Sequence, residues 1–172
     1  VVERGDEVYI PDGNFELKAR DEISIVGTPA KTIEFFKKLG VPTSSARDAL
    51  IVGGGRTSVY LAKQLLEMGI RVKIVERDEE RCEELNEMVP KAMIICGDAT
   101  DKDLLIEEGL LETEAFVATT NFDEENIMLA LFAKSLSSAK LITKVHRISY
   151  DDIIDQLDVG SIIYPKFITS ES

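Results

Sequence analysis

ALIVGGGRTSVYLAKQLLEMG, residues 49–69, decides how the chain reads. Ala49 to Val52 are apolar without interruption, which fits a short strand buried on both faces. Three glycines follow, and from Ser58 to Met68 the apolar residues recur at helical spacing until Gly69 ends the helix. RVKIVE, residues 71–76, then reads as a second strand. A strand, a glycine turn, a helix and a strand within about 30 residues make one βαβ unit, so the two strands are parallel.

The same alternation continues downstream. Helices are expected at 79–88, 101–108 (capped by Thr100) and 124–135. Strands are expected at 92–96 (AMIIC), 115–120 (AFVATT) and 141–145 (LITKV). A short helix near Tyr150–Gln156 leads to VGSIIYP, a sixth strand ending at Pro165. Strands that alternate with helices predict an α/β fold of the Rossmann type. The parallel sheet is doubly wound with helices on both faces, over residues 48–166, and a tail follows at 167–172.

Upstream the pattern differs. EVYI, PDGN and FELKARDEISIVG read as a β-hairpin, with Pro11–Asn14 as turn chemistry. A helix opened by Pro29 and closed by Gly40 follows, so residues 1–40 form a small partial α+β segment. VPTSSAR is polar and small, and residues 41–47 read as a linker. No internal repeat is visible.

Composition narrows the function. The formal net charge of −12 repels a phosphate backbone, so nucleic acid is not an expected partner. No apolar run reaches the ~18 residues of a membrane span, so no direct membrane insertion is expected, and the first ten residues lack a secretory pattern. Cys82 and Cys96 have no metal-ligand spacing and read as packing residues in a reducing cytoplasm; no metal site is expected.

The glycine turn carries the chemistry. Gly53, Gly54, Gly55, Arg56, Thr57 and Ser58 stand between strand and helix, where the dinucleotide fingerprint holds a pyrophosphate on the helix N-terminus. Gly53 serves the tight turn and Gly55 admits the phosphates. Ser58 replaces the last glycine of the fingerprint, which predicts a modest adjustment in helix–sheet packing. Glu76, about 20 residues on, is placed to accept the ribose hydroxyls of an adenine nucleotide and to repel a 2′-phosphate. Arg77 softens that discrimination. Glu76 also fits a solvated acid at the head of the charge run ERDEER. Asp98 and Ala99, in the GDAT turn, lie at the sheet edge where ligands bind; Asp98 is a candidate acceptor for the adenine amine, and the same turn also fits a plain helix entry. Thr119, Thr120 and Asn121 end the fourth strand at that edge, followed by Asp123 and Glu124, which equally suit a helix N-terminus.

GGGRTS, the IVE strand end, GDAT, ATTNFDEENIM and IIYP together resemble the regulator-of-potassium-conductance family of domains (RCK, also KTN), and within it the regulatory subunits of Trk potassium uptake. The resemblance spans roughly residues 48–165, and the segment before it resembles the end of the small C-domain that follows each nucleotide domain in that family. It implies that Gly53, Gly55, Arg56, Glu76, Asp98 and the Thr119–Asn121 turn line a site for NAD or NADH, with ATP or ADP as the alternatives. Arg56 would pair with phosphate oxygens. It further implies a cytoplasmic, non-enzymatic regulator at the inner face of the membrane, acting on a membrane-embedded potassium-translocating subunit. Paired nucleotide domains in the family predict a homo-oligomer, a dimer for this chain.

The competing reading is the nucleotide-binding half of an NAD-dependent dehydrogenase. It needs a proton donor, and His146, the only histidine, stands at a strand end between Lys144 and Arg147. No nucleophile motif or zinc spacing accompanies it, so no catalytic residue is assigned. An exposed lysine is expected at 144, and Cys96 reads as a small hydrophobe in a strand.

Overall fold

The computed structural model describes residues 1–5, 7–24, 27–40, 46–146 and 156–164. The chain divides into two compact units, Val1–Ser45 and Ala46–Ser172. Among the described residues no helix is long and apolar enough to cross a membrane.

The first unit holds three short antiparallel strands, β1 (Val2–Arg4), β2 (Glu7–Tyr9) and β3 (Glu22–Ile23), in the order β2-β1-β3, and a helix α1 (Pro29–Lys38). This corrects the expected hairpin. PDGN does make a turn, in which the Asn14 amide donates to Asp12 Oδ1 at 3.0 Å, but the strands on either side of it do not pair. Both pair with β1, which the sequence reading passed over. Arg4 holds this sheet together. Its guanidinium forks onto both oxygens of Asp21 at 2.7 and 2.8 Å and lies over the rings of Tyr9 and Phe15.

The second unit contains β4 (Asp48–Val52), α2 (Arg56–Glu67), β5 (Arg71–Glu76), α3 (Glu79–Met88), β6 (Met93–Cys96), α4 (Lys102–Glu107), β7 (Ala115–Ala118), α5 (Asp123–Leu136), β8 (Lys140–Lys144) and β9 (Ser161–Ile163). Its six strands run parallel in the order β6-β5-β4-β7-β8-β9. The fold is thus the doubly wound Rossmann type. The expected helix near Tyr150–Gln156 falls almost wholly on residues 147–155, outside the described residues.

Alternation along the strands builds a core on each face of the sheet. Leu50, Val52, Val75, Phe116 and Ala118 pack with Leu105 of α4 and with Leu129 and Ala133 of α5. Ile51, Val72, Ile74 and Val117 turn the other way, onto Ala62 of α2 and Leu85 of α3. Burial on both faces is why Ala49–Val52 of β4 and all of β7 are apolar without a break. Asp48 ties the lower end of β4 to the approach to β7, accepting from the Thr113 hydroxyl at 3.0 Å and the Glu114 amide at 2.9 Å. One cap differs from expectation. Asp101, not Thr100, caps α4, its Oδ1 accepting the Asp103 amide at 3.0 Å, because Thr100 is already engaged with Asp98.

Candidate functional site

β4 and β7 are neighbours at the centre of the sheet, but the chain leaves them in opposite directions, toward β5 and toward β8. Their following loops therefore diverge, and a crevice opens above the carboxyl ends of the strands. The crevice is open to solvent on one side, and the space within it, part of it open solvent, is about 500 Å3. One wall is Gly53–Gly55, the other is Thr119–Phe122, and Glu76, Arg77 and Gly97–Ala99 form the far end.

The three glycines do different things. Gly53 has φ 98°, and a Cβ there would stand 2.7 Å from the Thr119 carbonyl oxygen, so both conformation and contact demand glycine. A Cβ on Gly54 would lie 2.6 Å from Leu85 Cδ1 and 2.8 Å from Glu76 Oε2. Gly55 faces open space. It is the N-cap of α2, and no side chain caps that helix, so the positive end of the helix dipole is directed at the crevice.

The glycine turn is clamped from two directions. Glu76 Oε2 accepts the Gly54 amide at 2.6 Å, and its Oε1 accepts the Asp78 amide at 2.9 Å. Arg81 Nε, from α3, donates to the Gly54 carbonyl at 2.7 Å. Each carboxylate oxygen of Glu76 retains acceptor capacity for a hydroxyl. Arg77 lies over the Phe122 ring at 5.9 Å. The Asp98 carboxyl is held below the usual carboxylate range by the Thr100 amide and hydroxyl, at 2.9 and 2.8 Å, with a smaller contribution from the Arg77 charge.

Of the residues singled out in the sequence, Gly53, Gly54, Gly55, Glu76, Arg77, Asp98, Ala99, Thr119, Thr120 and Asn121 line the crevice. Arg56, Thr57 and Ser58 do not. Arg56 is exposed on the first turn of α2, and Ser58 is fully buried beneath it. Ser58 Oγ lies 2.6 Å from Thr119 Oγ1. Because the Thr119 hydroxyl donates to the Val52 carbonyl at 2.9 Å, Ser58 is the donor of that pair. The serine in place of glycine thus bridges α2 to the end of β7.

Gly97, at the head of the GDAT turn, lines the crevice as well, and so do Phe122 and Glu125, which, with Arg81 behind the glycine turn, were missed by sequence reasoning. Only the fold brings them there; Arg81 lies 27 residues from the glycine it holds. Asp123 is buried and turned away from the crevice, its Oδ1 3.0 Å from the His146 amide and 2.9 Å from His146 Nδ1. Lys144, expected to be exposed, is buried; burial pushes its ammonium below the usual lysine range, and the Asp123 charge partly opposes this. Beside it, Asn126 Nδ2 donates to the Lys144 carbonyl at 2.9 Å and Oδ1 accepts the Thr120 amide at 2.8 Å, which fixes the second wall.

The sequence pattern of the TrkA-N domain matches residues 49–165. The chain belongs to the TrkA-N domain family. It is 31% identical over 167 residues to the Trk system potassium uptake protein trkA homolog 1 of Methanosarcina mazei, covering 96% of this chain and 41% of that protein. It is 34% identical over 159 residues to the Trk system potassium uptake protein TrkA of Vibrio alginolyticus, covering 92% and 34% respectively. The chain therefore spans a third to two fifths of the length of these relatives. The TrkA-N fold is also seen in the TrkA-N domain of the inner membrane protein ybaL from Escherichia coli, with a TM-score of 0.63 at 19% identity, covering 73% of this chain and 93% of that one. The GsuK channel bound to NAD superposes with a TM-score of 0.61 at 16% identity, covering 77% and 25%.

Proposed function

We propose that this TrkA-N domain binds NAD or NADH in the crevice between β4 and β7, and that the occupied domain regulates a potassium uptake system. One observation carries the reading: the open face of Gly55 at an uncapped helix N-terminus lies in the same crevice as a Glu76 carboxylate fixed to the glycine turn. Phosphates suit the first and ribose hydroxyls the second. Relatives named as Trk potassium uptake proteins support the regulatory role, and an NAD-bound channel of the same fold supports the ligand. ATP and ADP compete for the same crevice, since they share the adenosine and phosphate parts.

The regulated partner is a membrane-embedded potassium-translocating subunit, with this domain on the cytoplasmic side. Residues 1–40 correspond to the end of a preceding C-domain, 41–47 to a linker, and 48–166 to the nucleotide domain. Regulation requires a ligand with different affinity for two arrangements of the protein, and no bond need be made or broken. Calorimetry with NAD, NADH, ATP, ADP and NADP, together with mass spectrometry of the nucleotide that co-purifies, tests the reading. NAD or NADH should bind most tightly and NADP poorly. A folded protein that binds none of the five overturns it.

A further inference from the structure

Two thiols converge beneath the Glu76 edge of the crevice. Cys82, in α3, is buried, and its Sγ donates to the Glu76 carbonyl at 3.3 Å. The same carbonyl accepts the Gly97 amide at 2.8 Å. Cys96 immediately precedes Gly97 and is the cross-strand partner of Glu76. Alternation along β6 settles its direction. Ile94 packs into the cluster containing Leu85 of α3, and Ile95 packs into the opposite core, so Cys96 stands on the α3 side of the sheet. Burial, and then the neighbouring Cys96 thiol, push Cys82 up to about 12. Cys96 itself is exposed, contrary to the packing role read from the sequence.

We propose that Cys82 and Cys96 form a dithiol modification site that closes to an intramolecular disulfide by exchange with a small-molecule disulfide of the glutathione class. The two positions divide the work. Cys96, the accessible thiol, loses its proton to solvent and attacks one sulfur of the oxidant, forming a mixed disulfide and releasing one thiolate. Cys82 then gives up its proton and attacks the Cys96 sulfur, releasing the second thiolate. Two protein thiols are oxidised and one external disulfide is reduced to two thiols. Burial, the larger cause of the raised Cys82 value, persists after Cys96 is capped, so the second step is the slower of the two. In a reducing compartment such a bond is transient and suits a redox signal more than a structural staple.

Closure would replace the Cys82 hydrogen bond to Glu76, the residue whose carboxylate holds the Gly54 amide. Coupling to nucleotide affinity rests on the proposed function above; disulfide formation does not. Incubating the reduced full chain with oxidised glutathione, followed by non-reducing intact mass spectrometry, should show a loss of two hydrogen atoms without an adduct. Peptide mapping should join the segments carrying Cys82 and Cys96, and dithiothreitol should reverse the change. Cys82→Ser should stop at one glutathione on Cys96, and Cys96→Ser should stay unmodified. A wild-type chain that stops at the adduct, cross-links between molecules or does not react overturns the proposal. NAD affinity should differ severalfold between the closed and reduced forms. Equal affinity overturns the coupling, whereas failure of both forms to bind overturns the nucleotide reading and leaves the dithiol standing.

Discussion

Gly53 and Gly55 are two residues apart and should fail in different ways. A methyl group at Gly53 meets the Thr119 carbonyl at 2.7 Å while the backbone sits at φ 98°, so Gly53→Ala should lower stability by about 1–3 kcal/mol, read from denaturant unfolding. Gly55 has an extended backbone and open space before it, so Gly55→Val should stay folded, with only the modest loss of a poorer N-cap, yet lose nucleotide binding by calorimetry. Wild-type affinity in that variant would show that the phosphates sit elsewhere. Glu76 is the other residue whose change reads on binding. Glu76→Ala removes a charged acceptor and frees the Gly54 amide, and should weaken NAD binding by about 1–3 kcal/mol. Glu76→Gln keeps one oxygen acceptor and should fall between wild type and the alanine variant.

In the small antiparallel sheet, the Arg4–Asp21 pair sets a pH limit. The Arg4 side chain and then the Lys18 amide hold Asp21 down at about 2, below its ordinary 3.8. A carboxyl whose folded value is depressed contributes fully above its unfolded value and loses that contribution as pH falls through the folded one. The protection of the Ser24 amide, which donates to the Val1 carbonyl at 3.0 Å, should therefore fall between about pH 4 and pH 2 once the intrinsic pH dependence of exchange is divided out. Asp21→Asn should show faster exchange at neutral pH and little further change across that window. This sheet was also the least legible element in the sequence. Its strands are two or three residues long, too short for alternation to show, and β1 was invisible beside the stronger turn signal of PDGN. The parallel sheet was legible because its central strands are unbroken apolar runs separated by helical periods. In the crevice, the residues on the loops directly after strands were readable from spacing. Arg81, Phe122 and Glu125 were not, because they arrive from helices or helix entries whose rotation only packing decides. Lys144 misled for a related reason: a lysine at a strand end is ordinarily solvated, and here the strand end is covered.

For the molecule as a whole, Tyr60 on α2 and Met128 on α5 leave 60% and 65% of their surface exposed, more apolar surface than these helices need for their own cores. Together with the paired domains of the family resemblance, this predicts a dimer, seen as a doubled mass in light scattering across a concentration series; a monomer throughout would count against it. The order of the strands also has a consequence for how the site comes into being. β4 finds β5 about twenty residues later, but its other edge waits for β7, 66 residues downstream, and Gly53 packs against the backbone at Thr119 and Thr120. During synthesis the glycine turn and Glu76 thus emerge well before the wall that completes them, and the nascent half-sheet carries one open edge in the meantime. Nucleotide affinity should accordingly be a late acquisition in folding. Pulse-labelled exchange should protect the Gly53 amide, bonded to Val75 within the first half, no later than the Thr119 amide, bonded to Val52 across the two halves. A ligand added at the start of refolding should leave the early rate unchanged and slow only unfolding.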